Sequence, residues 1–136
     1  MNWLALTAGV LTLAAFGIHA GVGAREFRSF APDTDDGAAR TAWLQALCGW
    51  HWVSASLLGA GSLFLIVAST DWVRDERSVL IGLAVYFLAC GVAWLGTLMI
   101  SGRGVDRRFM VLGQWGFCML VAGPAAAAAY VPAANP

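Results

Sequence analysis

The chain has no lysine, and its charge is confined to three short stretches. Arg25–Arg40, Asp71–Arg77 and Arg103–Arg108 hold all eight arginines and all eight acids of the 136 residues. Net charge is zero, so no basic face points to nucleic acid and no acidic tail to a basic partner. The three cysteines, Cys48, Cys90 and Cys118, lie inside apolar runs without CxxC spacing, which excludes a disulfide framework and leaves them as small buried hydrophobes. Walker loops, HExxH, a nucleophile–base–acid set and paired intramembrane carboxylates are all absent. An independent enzyme is not expected. Acids and arginines are also missing from the middle of every apolar run, which argues against an ion-coupled transporter or pump.

What is present is hydrophobic. Met1–Ala24, Thr41–Thr70, Ser78–Gly102 and Phe109–Pro136 carry no formal charge with neutral histidines. Each is long enough to cross a bilayer core, which takes about 20 apolar residues. The runs do not alternate, so helices and not barrel strands are expected. The fold class read from the chain is all-α: one integral membrane domain over residues 1–136, an up-down four-helix bundle with spans near 3–24, 43–69, 79–101 and 110–131. Met1–Ala24 has a signal-like apolar run ending in Val22-Gly23-Ala24. Arg25 and Arg28 follow that run instead of preceding it, so an uncleaved first span is expected.

Arginine placement predicts orientation. Loops one and three hold Arg25, Arg28, Arg40, Arg103, Arg107 and Arg108, whereas loop two holds Arg74 and Arg77. Positive loops stay cytoplasmic, which puts loops one and three inside and both termini outside a bacterial inner membrane.

Helix one is expected from about Trp3 to Arg25, with continuation into Glu26–Ser29 compatible with its composition. Asp33, Thr34 and Asp36 are N-cap residues for a long second helix over Gly37–Ser69. Trp43, Trp50 and Trp52 read as its cytoplasmic anchors and Trp72 as the outer one, leaving Trp94 and Trp115 as the deep tryptophans. Helices three and four form a hairpin about Gly102–Arg108, and Pro124 predicts a mild kink in the last helix.

The only two histidines, His19 and His51, are expected at similar depth near the cytoplasmic ends of helices one and two. Steps of three and four from His19 give Ala15, Thr12, Ala8 and Ala5, a small and weakly polar stripe suited to helix contact. The stripe through His51 holds Cys48, Ser54, Ala55, Gly61 and Ser62. Thr97 and Ser101 on helix three and Gln114 on helix four complete a polar cluster with the juxtamembrane pair Arg25 and Glu26.

Such a cluster has several readings. The histidines can hold helices in register by hydrogen bonds to Gln114, Thr97 or a backbone carbonyl. They can ligate haem b from either side as a bis-His electron-transfer site. With Cys48 they can bind a transition metal through His19, Cys48 and His51. Gly17 and Gly21 form a GxxxG on the opposite side of helix one, a seam for lateral association. The leading expectation is a small non-enzymatic membrane protein, either a homo-oligomer or an accessory subunit of a larger complex, in contact with lipid.

The run His19-Ala-Gly-Val-Gly23-Ala-Arg25-Glu26, with Trp50-His51 in the second span, resembles a widespread group of small four-helix bacterial membrane proteins of unknown function. In that group a His-x3-Gly-Glu-Arg arrangement lies in the first helix and a Trp-His pair in the second. Here Ala24 replaces the usual acid, and Glu26 follows the arginine. The resemblance implies the fold and favours His19, Arg25 and His51, without implying an activity.

Overall fold

The computed structural model describes residues 1–33, 36–100 and 113–131, and every regular element among them is helical. Helix α1 spans Trp3–Ile18, a π-helical turn covers His19–Gly23, and α2 spans Ala24–Ser29. Helix α3 covers Gly37–Ser69, α4 Glu76–Ile100 and α5 Gln114–Ala128. The segments Trp3–Ser29, Gly37–Ser69 and Glu76–Ile100 are each long and apolar enough to cross a membrane. Helix α5 runs through Pro124. Its 15 residues measure about 22 Å at 1.5 Å per residue, short of a full crossing. The start of that expected span, Ser101 and the Gly102–Arg108 turn lie outside the described residues.

Helix starts follow local chemistry. Asp36 caps α3, its Oδ1 accepting the Ala38 N–H at 2.9 Å. Asp75 caps α4 in the same way, accepting the Ser78 N–H at 3.0 Å. Hydrogen bonds from Ser78, hydroxyl and N–H, hold the Asp75 carboxyl below its ordinary range, with nearby Arg77 adding to the effect.

The chain forms two compact units, Gly9–Leu63 and, separately, Met1–Ala8 with the chain from Phe64 onward. In the first, α1 and α3 approach closely where Gly61 faces Leu13. A Cβ on Gly61 would lie 2.8 Å from Leu13 Cγ and 3.2 Å from its backbone nitrogen. In the second, α4 packs on α5, and Gly91 admits Met119 and Cys118 at distances a side chain would forbid. Phe87 is the centre of that unit, stacking on Phe64 at 6.2 Å and meeting Phe117 edge-on at 6.2 Å. The expected small stripe of helix one is buried: Ala5, Ala8 and Thr12 are fully inaccessible.

Asn2 ties three helix ends together within the second unit. Its Oδ1 accepts the Ala5 N–H at 3.1 Å, capping α1. Its Nδ2 donates to the carbonyl of Ala128 at the end of α5, at 3.0 Å. Its backbone N–H donates to the carbonyl of Ala68 near the end of α3, at 3.1 Å. Helix C-termini leave carbonyls without partners, and away from water each orphan costs about 1–3 kcal/mol. Asn2→Ala is therefore expected to cost about 2–4 kcal/mol, a lost cap plus an orphaned carbonyl. Asn2→Ser keeps a capping oxygen and loses the Ala128 bond without adding a charge, so it should cost clearly less. Equal losses in urea unfolding of the two variants in micelles would show that the cap contributes nothing.

Candidate functional site

The site is built on the π-helical turn. His19-Ala-Gly-Val-Gly23 contains two glycines, and the N–H of Ala24 reaches back five residues to the carbonyl of His19. One such turn shifts the phase of everything after it. In an uninterrupted α-helix, His19 and Phe27 are eight steps apart and about 80° out of line. Absorbing one residue in a π turn brings them to within about 20°. Both rings therefore meet the same partner on α3. Trp50 stacks on His19 at 3.9 Å between centroids with 12° between planes, and on Phe27 at 5.1 Å. Phe27 also stacks on Trp43, at 6.4 Å.

Gly23 makes room for this. A Cβ there would lie 2.6 Å from Trp50 Cζ2 and 3.0 Å from Cη2. The indole cannot swing away at little cost, because His19 and Phe27 both pack on it.

Ser54, one turn beyond Trp50, fixes the imidazole. Its hydroxyl donates to the Trp50 carbonyl at 3.1 Å, and His19 Nδ1 lies 3.1 Å from the same oxygen. A hydroxyl has one proton, and where its own helix takes it, Ser54 Oγ accepts from Nδ1–H. That is the tautomer with the lone pair on Nε2, a nitrogen no described residue meets. The indole N–H groups of Trp43 and Trp50 are buried and have no hydrogen-bond partner among the described residues. The site thus holds one stacked imidazole and two unused indole donors against an apolar wall.

Several expected members lie elsewhere. His51 is exposed, one residue past Trp50 and so about 100° around α3 from it. The register that places Trp50 and Ser54 on His19 turns His51 off that face, so the two imidazoles do not converge. Cys48 is exposed as well. Among the described residues no three His, Cys, Asp or Glu side chains come together to hold a metal ion, so His19, Cys48 and His51 are not assembled as a ligand set. Arg25 and Glu26 are exposed beyond the π turn. Thr97 is exposed and donates its hydroxyl to the Ala93 carbonyl at 2.9 Å, and Gln114 is exposed at the start of α5. Trp52 is 77% exposed, in keeping with an anchor, whereas Trp50 and Trp43 are half-buried packing residues. The signal that separates them is spacing: residues 43, 50 and 54 share one helical face, and 52 does not.

No family model, curated protein or solved structure matches the chain.

Gly23→Ala is expected to push Trp50 off His19 and to cost about 1–3 kcal/mol by overpacking. Two histidines make selective imidazole labelling direct. Ring-proton shifts of His19 should move away from their aromatic-stacked values in the variant, while those of His51 stay put. Unchanged His19 shifts would mean that Trp50 does not depend on the glycine.

Proposed function

We propose that this chain is a small multi-span membrane protein that works by binding and not by catalysis, with His19 as the polar centre of its site. The observation that carries the reading is the fixed imidazole. Stacking on Trp50 sets the ring plane, the Ser54 hydroxyl holds Nδ1 at 3.1 Å, and Nε2 has no partner among the described residues. Polar groups at membrane depth are costly and mark function by default. The arginine distribution supports four spans in an up-down bundle, with loops one and three cytoplasmic, which puts this site in the inner leaflet. Labelling of Gly104→Cys from the periplasmic side alone would overturn that orientation.

Association is part of the proposal. The contact is lateral, with a second copy or as an accessory subunit. Gly17 and Gly21 support this, since both are exposed and a Cβ on either would meet nothing within 4 Å. A neighbouring helix can approach there closely enough for dispersion contacts. A strict monomer in lipid nanodiscs, by native mass, would remove that part of the reading.

A second reading has His19 as a residue that would hold a haem iron. A hydrogen bond from Nδ1–H is the kind that orients a metal-bound imidazole and leaves Nε2 for the iron. The visible spectrum of protein purified in lipid separates the two. A Soret band lost in His19→Ala and kept in His51→Ala would replace the binding scaffold with a haem protein. A colourless protein in which His19→Ala and Ser54→Ala weaken the same partner or ligand, captured with wild type, supports the scaffold. A colourless protein indifferent to both variants would reduce His19 to structural glue.

A further inference from the structure

A second polar site lies in the unit formed by Met1–Ala8 and the chain from Phe64 onward, far along the sequence from His19. An open cavity of about 320 Å³ is lined by Asn2, Arg74, Asp75, Glu76, Arg77 and Leu80, with the end of α5 on its other side. That volume is at the lower end of the range for small-ligand pockets.

The lining charges are the informative part. Two guanidinium groups and two carboxylates share one small cavity, so a simple anion would meet two acids and a simple cation two arginines. Only a ligand carrying both signs matches. Two of the four charges are already engaged. Asp75 is committed to capping α4 through Ser78, and the Arg77 guanidinium lies 4.8 Å over the Tyr130 ring, a cation–π contact. Arg74 and Glu76 have no side-chain partner among the described residues. They are one free cation and one free anion, two residues apart on the rim.

The surroundings select the ligand class. The cavity lies at the start of a helix long and apolar enough to cross a membrane, Glu76–Ile100. Exposed Tyr130, under the guanidinium of the lining residue Arg77, adjoins it, an aromatic type that sits at headgroup level. Buried Leu80 gives it an apolar floor. We propose that this cavity binds the phosphoethanolamine headgroup of a membrane lipid, with Arg74 on the phosphate, supported by Arg77, and Glu76 accepting from the primary ammonium. Arginine presents a planar fork to phosphate oxygens. A carboxylate favours an ammonium with N–H donors over a quaternary one, which has none. The proposal rests on the membrane reading of the chain and is independent of the His19 site.

The test is lipid retention by the full chain, released from nanodiscs containing equal phosphatidylethanolamine, phosphatidylcholine and phosphatidylglycerol of identical acyl chains, and read by native mass spectrometry. Wild type should keep phosphatidylethanolamine over phosphatidylcholine by about tenfold, the size expected for one charge-assisted hydrogen bond. Arg74→Gln should lower retention by about tenfold, and Glu76→Gln should erase the preference between the two zwitterions while phosphate binding persists. His19→Ala should change nothing, which separates a failure here from a failure of the first site. Equal retention of the two zwitterions by wild type, preference for phosphatidylglycerol, or an unchanged profile in Arg74→Gln would each overturn the proposal. Both substituted side chains lie on the cavity rim outside the core, and unchanged circular dichroism of the variants keeps the comparison valid.

Discussion

Three helices of this chain are long and apolar enough to cross a membrane, and polar groups on such helices have to find partners inside the chain. The hydroxyls show how this is met. Thr7, Thr41, Ser54, Ser69, Thr70 and Thr97 each donate to the carbonyl four residues back on their own helix. That bond uses the single proton a hydroxyl has and leaves its oxygen free to accept. At Ser54 the same oxygen also lies 3.1 Å from Nδ1 of His19 and can accept from its Nδ1–H tautomer. The seat of the imidazole thus rests on the same bond that the other five hydroxyls make. Asn2 answers the constraint at the helix ends, serving as acceptor for α1 and donor for α3 and α5.

The segments that follow a regular period were legible in the sequence. The long helix over Gly37–Ser69, its Asp36 cap, the continuation of helix one to Ser29 and the close pairing of the last two helices all follow from spacing and capping chemistry. The buried Ala5, Ala8 and Thr12 stripe does too, since it lies before any interruption of the 3.6-residue period. Phase was lost where the period changes. A π turn at His19–Gly23 leaves little trace in composition beyond two glycines, and it moves Phe27 onto the face of His19. On α3 the difficulty was register. His51 and Ser54 are near neighbours on a helical wheel, and Trp50 and Ser54, not His51, face helix one.

Trp50 illustrates why interfacial position alone misleads. A tryptophan near a span end is enriched there as an anchor, and Trp52 behaves so, with its side chain largely exposed. Trp50 lies two residues earlier and about 200° around the helix from it. The same chemistry that suits an interface, a large flat ring with one donor, also suits a platform for an imidazole. Which role applies depends on whether the opposing helix brings a small residue and a ring. Here it brings Gly23, His19 and Phe27.

The π turn can be weighed on the same terms. A single turn with a wider ring loses some hydrogen-bond quality and carries two glycines, each about 1 kcal/mol worse than alanine in a helix. Two aromatic contacts of about 0.5–1.5 kcal/mol each and one hydrogen bond of about 1 kcal/mol roughly offset that cost. Stability alone therefore gives the turn no clear advantage over a plain helix carrying alanines. What the plain helix cannot do is put His19 and Phe27 on one tryptophan while keeping Nδ1 on Ser54. Near-balance in energy thus goes with a geometry that only the interrupted helix reaches, and π turns recur at functional positions.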